Sequence, residues 1–204
     1  MEQRINCHIA TSGDDSCKTI AGQSMKAGQR KENNLKTTKK LVLLSLLLSQ
    51  ALVLSIVESW IPVPVPVPGV KLGLANIVTM TIIAFMGASD TFVLVILRCL
   101  LSSMFSGGIS VFLFSVSGGL LSAVVMLVLY KKFSKIFSVV GISIAGAISH
   151  NIGQIIVAAV MMKEISVFGY LPVLFISGII TGCFVGLCSN FIIEALRKTN
   201  IFNN

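Results

Sequence analysis

The side chains that could do chemistry in this chain are a few charged and polar groups set inside or beside long apolar stretches. An ionisable group in such a stretch is costly to bury, so each one is a candidate for function. Seven residues meet this description: Glu58, Lys71, Asn76, Arg98, His150, Asn151 and Gln154. They supply one carboxylate, two cations, three amides and one imidazole, and together they predict a ligand-binding site.

The stretch that runs ESWIPVPVPVPGVKLGLAN, from Glu58 to Asn76, is predicted to form the wall of this site. Its four prolines alternate with valine or isoleucine. Proline lacks a backbone N–H and fixes φ, and it pushes the preceding residue toward an extended conformation. The segment is therefore predicted to be a stiff, extended connector between two apolar runs, with Lys71 near its end.

Arg98 stands in the middle of the apolar run VILRCLL and keeps its charge at any ordinary pH. It needs a ligand, an acidic partner such as Glu58 or Asp90, or an aqueous interface. His150 and Gln154 are four residues apart and share a helix face, with Asn151 adjacent. Such groups either contact a ligand or hydrogen-bond between helices, and the spacing leaves both open.

The elements that must position these groups are membrane helices. Hydrophobic residues make up 54% of the 204, charged residues 12%, and mean hydropathy is +0.91. From Leu41 onward the apolar runs are about 20 residues long, the length needed to cross ~30 Å of hydrocarbon. The chain is therefore predicted to be all-α and polytopic, with a bundle of six transmembrane helices near 41–60, 72–88, 91–105, 109–130, 136–162 and 169–195. The second and third spans are short, which leaves a re-entrant or broken arrangement open there.

Three segments are predicted along the chain. Residues 1–40 form a disordered, polar and basic segment, 41–195 the six-helix domain, and 196–204 a short tail. Met25 precedes the first span closely and stays open as an alternative start to Met1.

Loop charges predict that both termini are cytoplasmic and that the proline connector faces outward. Half of the 16 Lys and Arg residues precede residue 41. With the N-terminus inside, eight basic residues beside the spans are cytoplasmic: Lys36, Lys39, Lys40, Lys131, Lys132, Lys135, Arg197 and Lys198. Only Lys71 and Lys163 fall outside, a strong positive-inside bias. The net charge of +8 follows from this bias and does not indicate nucleic-acid binding.

No catalytic, cofactor or metal site is predicted. The sequence has no GxxxxGK[ST] loop for ATP and no Asp-rich cluster to hold Mg²⁺ on a diphosphate. It also has no Ser/His/acid or Cys/His arrangement. Cys7, His8 and Cys17 could in principle ligate a metal, but they are better explained as part of a solvated tail. The chain is therefore not expected to be an enzyme by itself.

Two pairs of small residues four apart, Ser45/Ser49 and Ala51/Ser55, occur in the first span. Small residues let helix backbones approach closely. This face could receive a helix of a partner protein or one of this chain's own helices.

Four stretches of the sequence resemble one bacterial membrane family. They are ESWIPVPVPVPGVKLGLANIVT, the ILR of the third span, FSGGISVFLFSVSGGLLS and AGAISHNIGQ. The family is called the Gx transporters and is also labelled heptaprenyl diphosphate synthase component I, and the resemblance covers about residues 41–195. The family is similar to the S components of energy-coupling factor transporters, six-helix proteins that bind a vitamin-like solute from outside. The resemblance therefore implies a multi-pass protein of the bacterial cytoplasmic membrane, in contact with membrane lipid.

The two family labels imply different roles. As a transport component, the chain would capture a small, anionic solute with the seven residues named first, and a transmembrane coupling subunit with two ATPases would drive release. The small-residue face at Ser45, Ser49, Ala51 and Ser55 would dock that subunit, with serine where alanine is usual. As a synthase component, the chain would be a non-catalytic membrane subunit helping a soluble prenyl synthase to make a quinone side chain. Topology and the clustered polar groups favour transport, and a purely structural membrane scaffold is the third possibility.

Overall fold

The computed structural model describes residues 14–60, 71, 73–106, 108–134, 136–163 and 165–198, and these contain helices and turns but no strand. The helices are α1 (Asp14–Trp60), α2 (Asn76–Phe85), α3 (Ala88–Ser106), α4 (Ile109–Phe133), α5 (Val139–Met162) and α6 (Leu171–Lys198), with a 3₁₀ helix at Ile165–Tyr170. The predicted all-α class is confirmed. By its contacts the chain divides into two units, Met1–Leu44 and Ser45–Asn204.

The described part of the first unit is the N-terminal portion of α1, which differs from the predicted disorder of residues 1–40. The helix begins at Asp14, and residues 1–13 lie outside the described residues. No proline interrupts residues 14–44, and lysine, glutamine, leucine and alanine are good helix formers. Within this portion the Thr38 hydroxyl donates to the Asn34 carbonyl one turn earlier, at 2.9 Å.

Five helices in the described part of the chain are long and apolar enough to cross a membrane. They cover Thr37–Trp60, Ala88–Phe105, Ile109–Phe133, Val139–Met162 and Val167–Lys198. This confirms a multi-pass helical membrane protein. The predicted even number of spans, and with it the cytoplasmic position of both termini, stays a prediction from loop charge.

The second predicted span, 72–88, is much shorter in the structure. The α2 helix has 10 residues, a length of about 15 Å that covers about half of the hydrocarbon thickness. The helix begins only at Asn76 because Gly73 and the two turn residues after it are not helical. Gly73 has a φ of 89°, a left-handed conformation that favours glycine. It ends at Phe85 because Met86 is extended, with φ −124° and ψ 178°.

The short α2 helix forms the middle of the Ser45–Asn204 unit. It contacts α3, α4, α5 and α6, and every side chain from Asn76 to Ile83 is buried. Around it, α4 packs between α3 and α5, and α5 packs between α4 and α6. Gly153 allows the tight α4–α5 contact, because a Cβ there would lie 2.8 Å from the Ser117 carbonyl oxygen.

The basic ends of α4 and α6 meet at one end of this bundle. Lys131 and Lys132 lie in the last turn of α4, and Arg197 and Lys198 in the last turn of α6. Residues of these ends and of the start of α5 surround a cavity of about 380 Å³, which is lined by Tyr130, Ser134, Phe137, Ser138, Val139, Ile142, Ile193 and Arg197. The common location of these cations agrees with the loop-charge prediction that puts them on one side of the membrane.

Candidate functional site

The turn that precedes α2 lies inside the helix bundle and is held by three other helices. The Lys71 ammonium donates to the Ser102 hydroxyl on α3 at 2.9 Å. The Lys71 backbone N–H donates to the Gln154 side-chain oxygen on α5 at 3.3 Å. The Gly73 N–H donates to the Glu58 carboxylate at the end of α1. Buried non-helical backbone requires such partners, because its polar groups are cut off from water.

Glu58 therefore has a structural task as well as a charge. Its side chain is 2% exposed, and its carboxylate interacts electrostatically with Arg98 and Lys71 in addition to accepting the Gly73 N–H. A buried carboxylate is stabilised by such cations and donors. Glu58 holds the turn in place and neutralises one of the two buried positive charges.

Arg98 is 4% exposed and is only partly satisfied. Its Nη2 donates to the Asn76 Oδ1 at 3.5 Å, while its Nη1 has no hydrogen-bond partner among the described residues. Of the two acidic partners that the sequence leaves open, Glu58 interacts with it. Asp90 accepts the Gly87 N–H at the start of α3 instead, about 12 Å along the helix from Arg98.

His150 and Gln154 share a face of α5, as predicted, and both point toward the turn. Because the Gln154 oxygen accepts from Lys71, its amide nitrogen is the atom that lies 3.1 Å from His150 Nε2. That nitrogen must donate, so His150 Nε2 is the acceptor and the imidazole is neutral, with its proton on Nδ1.

Asn151 lies on a different side of α5 from the other predicted residues. Its side-chain nitrogen donates to the Leu174 carbonyl of α6 at 2.8 Å. A Cβ added at Gly178 of α6 would lie 3.0 Å from the same nitrogen. Asn151 thus joins α5 to α6, which is the interhelical alternative that the sequence leaves open. The other six predicted residues form one connected cluster, which we call the buried polar cluster: Glu58, Lys71, Asn76, Arg98, His150 and Gln154.

A small cavity lies within the buried polar cluster. Its volume of about 10 Å³ suits about one water molecule. The lining residues are Ser55, Glu58, Lys71, Gly73, Ala75, Arg98, Cys99, Ser102, Ser115 and His150. Pockets for drug-sized ligands measure about 300–1,000 Å³, so the cavity in this conformation admits only a compact group.

Four of the lining side chains were not predicted to belong to the site. Ser102 lies four residues after Arg98, and Ser55 three residues before Glu58, so helix periodicity could have found both. Cys99 and Ser115 are linked by a hydrogen bond from the Cys99 thiol to the Ser115 carbonyl, at 3.3 Å. Their position depends on how α3 packs on α4, which no spacing within one helix reveals.

The electrostatics of the turn are clearest at Lys71, which lies between the membrane-spanning segments. Burial lowers the pKa of Lys71 below its usual 10.5, and the positive charge of Arg98 lowers it further. The Glu58 carboxylate opposes both effects by attraction. Lys71 is therefore easier to deprotonate than a surface lysine.

The predicted partner-docking face on the first span needs correction. Ala51 is fully buried and Ser55 is 5% exposed, so both pack inside the Ser45–Asn204 unit. Ser45 and Ser49 are exposed. At 3.6 residues per turn, Ala51 and Ser55 lie about 120° around the helix from Ser45 and Ser49, so the two pairs face different sides. Only Ser45 and Ser49 stay available as a prediction for partner contact.

No metal-binding group of three or more His, Cys, Asp or Glu side chains occurs in the described part of the chain. The predicted tail residues Cys7 and His8 lie outside the described residues, as does the side chain of Cys17.

Comparison with known proteins gives one match. The model of the heptaprenyl diphosphate synthase component I family matches residues 47–192, which confirms that part of the resemblance seen in the sequence. No curated protein and no solved structure matches the chain with significance. The likeness to Gx transporters and energy-coupling factor S components has no counterpart in these comparisons. Since the match covers more than half of the chain and the whole buried polar cluster, the protein belongs to the heptaprenyl diphosphate synthase component I family.

Proposed function

We propose that this protein is a non-catalytic membrane subunit that binds a small ligand at the buried polar cluster and acts through separate partner proteins. The observation that carries the proposal is the incompletely paired Arg98, enclosed with Lys71 around a polar cavity. Burial of such groups is costly, and in membrane proteins they occur mainly where a ligand, ion or proton is handled. Nothing in the sequence supplies a catalytic motif, so chemistry or energy would come from a partner.

The first partner that we propose is a soluble prenyl synthase subunit. The family description names a component I, which implies a second component. The sequence has no Asp-rich cluster to hold Mg²⁺ on a diphosphate, so prenyl transfer would take place on that second subunit. The present chain would hold the synthase at the bilayer, where an apolar product chain of a quinone precursor dissolves.

The second candidate is the substrate-binding subunit of a small-solute transporter, with a transmembrane coupling subunit and two ATPases. The specific observation in its favour is the turn at Lys71 and Gly73, which precedes a short helix inside the bundle and borders a polar cavity. Discontinuous helices whose unwound backbone lines a polar site near the bilayer midplane are a recurring feature of transporters.

One experiment separates the two candidates. The tagged protein is purified from its native membrane, co-purifying proteins and small molecules are identified by mass spectrometry, and quinones are measured in a deletion strain. Recovery of a prenyl synthase with loss of quinone supports the first candidate. Recovery of ATPases with a bound solute, and unchanged quinone, supports the second. Recovery of neither partner nor ligand contradicts both and favours a structural scaffold.

Variants connect either result to the buried polar cluster. Arg98→Gln should lose ligand recovery. Arg197→Gln removes an exposed guanidinium in the last turn of α6, outside the buried polar cluster, and should retain ligand recovery. Equal ligand recovery from the wild type and from a folded Arg98→Gln protein would show that the ligand binds elsewhere.

A further inference from the structure

We infer that the buried polar cluster binds a compact, singly charged anion, either a free halide-sized ion or the carboxylate end of an organic solute. The inference rests on the proposed ligand-binding role and names the class of group that the cavity takes. Three observations carry it: the charge of the cluster, the kind of polar atoms left without partners, and the size of the cavity.

The cluster carries one positive charge in excess. Lys71 and Arg98 are cations, and Glu58 is the single carboxylate that lines the cavity in the described part of the chain. His150 is neutral because its Nε2 accepts from Gln154. Cys99 is a thiol because it donates to the Ser115 carbonyl. A net charge in a low-dielectric interior requires a counter-charge, and the excess here corresponds to one negative charge.

The polar atoms without partners are mainly donors. Within the described residues, Arg98 Nη1 and Asn76 Nδ2 make no hydrogen bond, and neither nitrogen can accept one. The Ser115 hydroxyl is also without a partner and can donate. Arg98 and Ser115 line the cavity, and Asn76 is bound to the Arg98 guanidinium. Buried donors require an acceptor, and a carboxylate or halide accepts several hydrogen bonds at once.

A cationic ligand does not match this arrangement. Glu58, the one carboxylate among the described residues that line the cavity, already accepts the Gly73 N–H and interacts with both buried cations. A further cation would therefore face Arg98 and Lys71 without an acceptor of its own. The unpaired donors would also stay unsatisfied.

The size of the cavity excludes bulky or multiply charged anions in this conformation. Its volume of about 10 Å³ suits one water-sized group. A phosphate has four oxygens, and a diphosphate has seven with a larger charge than the single excess positive charge can balance. The close approach of α4 also restricts the space, because a Cβ at Gly119 would lie 3.3 Å from Arg98 Nη2. Two kinds of anion are still compatible with the cavity. One is a halide, and the other is a single carboxylate group that enters with a small rearrangement of the turn.

The test is an anion titration of the full-length protein in detergent. Sodium sulfate keeps the ionic strength constant, and the midpoint of thermal unfolding is the readout. The probes are sodium chloride, sodium formate, sodium acetate and sodium phosphate. A ligand that binds only the folded state raises the midpoint in a saturable way. We expect such a rise for at least one of the three monoanions and none for phosphate.

Variants show whether the rise originates in the cavity. Arg98→Gln should weaken monoanion binding by about ten- to a hundredfold, because a charge-assisted hydrogen bond and the attracting charge are lost together. Arg197→Gln should titrate like the wild type. If Arg98→Gln does not fold, Ser115→Ala is the informative variant, because it removes one small donor from the cavity wall and should still weaken binding several-fold.

The pattern of responses also identifies the source of the anion. A rise with formate or acetate that exceeds the rise with chloride supports the carboxylate of an organic solute, and the reverse order supports a free halide. Equal effects of phosphate and the monoanions, or an unchanged rise in a folded Arg98→Gln protein, would overturn the inference. A neutral or cationic ligand that co-purifies in an Arg98-dependent way would also overturn it, while leaving the ligand-binding role in place.

Discussion

Replacing Glu58 with glutamine is the most direct test of how the turn before α2 is held. Glutamine has nearly the same shape and keeps one oxygen that can accept the Gly73 N–H. It removes the negative charge that faces Lys71 and Arg98. The substitution therefore isolates the charge of Glu58 from its volume and most of its hydrogen bonding.

The expected loss of stability is about 3 kcal/mol. Removing one member of a buried charge pair costs about 3–5 kcal/mol, because the remaining charge is buried without compensation. The retained acceptor oxygen reduces this cost. Burial also lowers the pKa of Lys71, so that this lysine can lose its proton and relieve its repulsion with Arg98. Both effects put the expected value at the lower end of the range.

The measurement is thermal unfolding in detergent, followed by far-ultraviolet circular dichroism. For a chain of this size about 3 kcal/mol corresponds to a decrease of about 6–12 °C in the midpoint. Glu194→Gln is the matched control, since Glu194 pairs with Lys198 at 3.1 Å on the surface, where its side chain is 60% exposed. An exposed pair of this kind contributes about 0.3–0.5 kcal/mol.

Two results would refute this account of Glu58. The first is a midpoint for Glu58→Gln that falls no further than that of Glu194→Gln. The second concerns Glu58→Gln combined with Arg98→Gln. Because removal of Arg98 takes away one of the two repelling cations, the double variant should be more stable than the sum of the single effects indicates. Simple additivity would show that Glu58 and Arg98 do not interact.

Three further predictions use the same thermal scan. Gly153→Ala should lower the midpoint, because the added Cβ would lie 2.8 Å from the Ser117 carbonyl oxygen and force α4 and α5 apart. The expected cost is about 1–3 kcal/mol. Gly141→Ala is the control and should not lower the midpoint, since its Cβ meets no atom closer than 3.5 Å. The pKa of Lys71 is lower in the folded state than its usual 10.5, so between these two values the folded state binds fewer protons than the unfolded state. Wild-type stability should therefore rise with pH in that window. An equally steep rise in a Lys71→Met protein would contradict this. Asn151→Leu should lower stability through loss of its 2.8 Å hydrogen bond to α6 but keep the anion-induced rise in midpoint; loss of that rise would place Asn151 in the site after all.

The membrane helices and most of the cluster could be predicted because a bilayer strongly restricts which segments can cross it and where charged groups can lie. Apolar runs of about 20 residues have few alternatives to membrane helices. Charged groups within these runs are costly to expose to lipid, so they are expected to face each other inside the bundle. That reasoning selected Glu58, Lys71, Arg98, His150 and Gln154, which the structure brings together.

The details that were missed depend on the direction of side chains and on contacts between helices. Asn151 follows His150 directly and is rotated by about 100° from it, so it points to α6. The late start of α2 depends on the left-handed conformation of Gly73. The apolar composition of the segment does not indicate that conformation. Ser115 enters the site only because α4 packs on α3.

The buried turn before α2 also determines when the protein can complete its assembly. The side chains that bind Lys71 come 31 and 83 residues later in the chain, on α3 and α5. Before those helices enter the bilayer, the polar backbone of the turn would face lipid without a partner, at a cost of several kcal/mol for each group. We therefore expect the α2 segment to stay near the membrane surface during synthesis until these helices are in place. Because Gln154 of α5 is the later of the two partners, we expect α2 to enter the middle of the protein only after α5 has inserted.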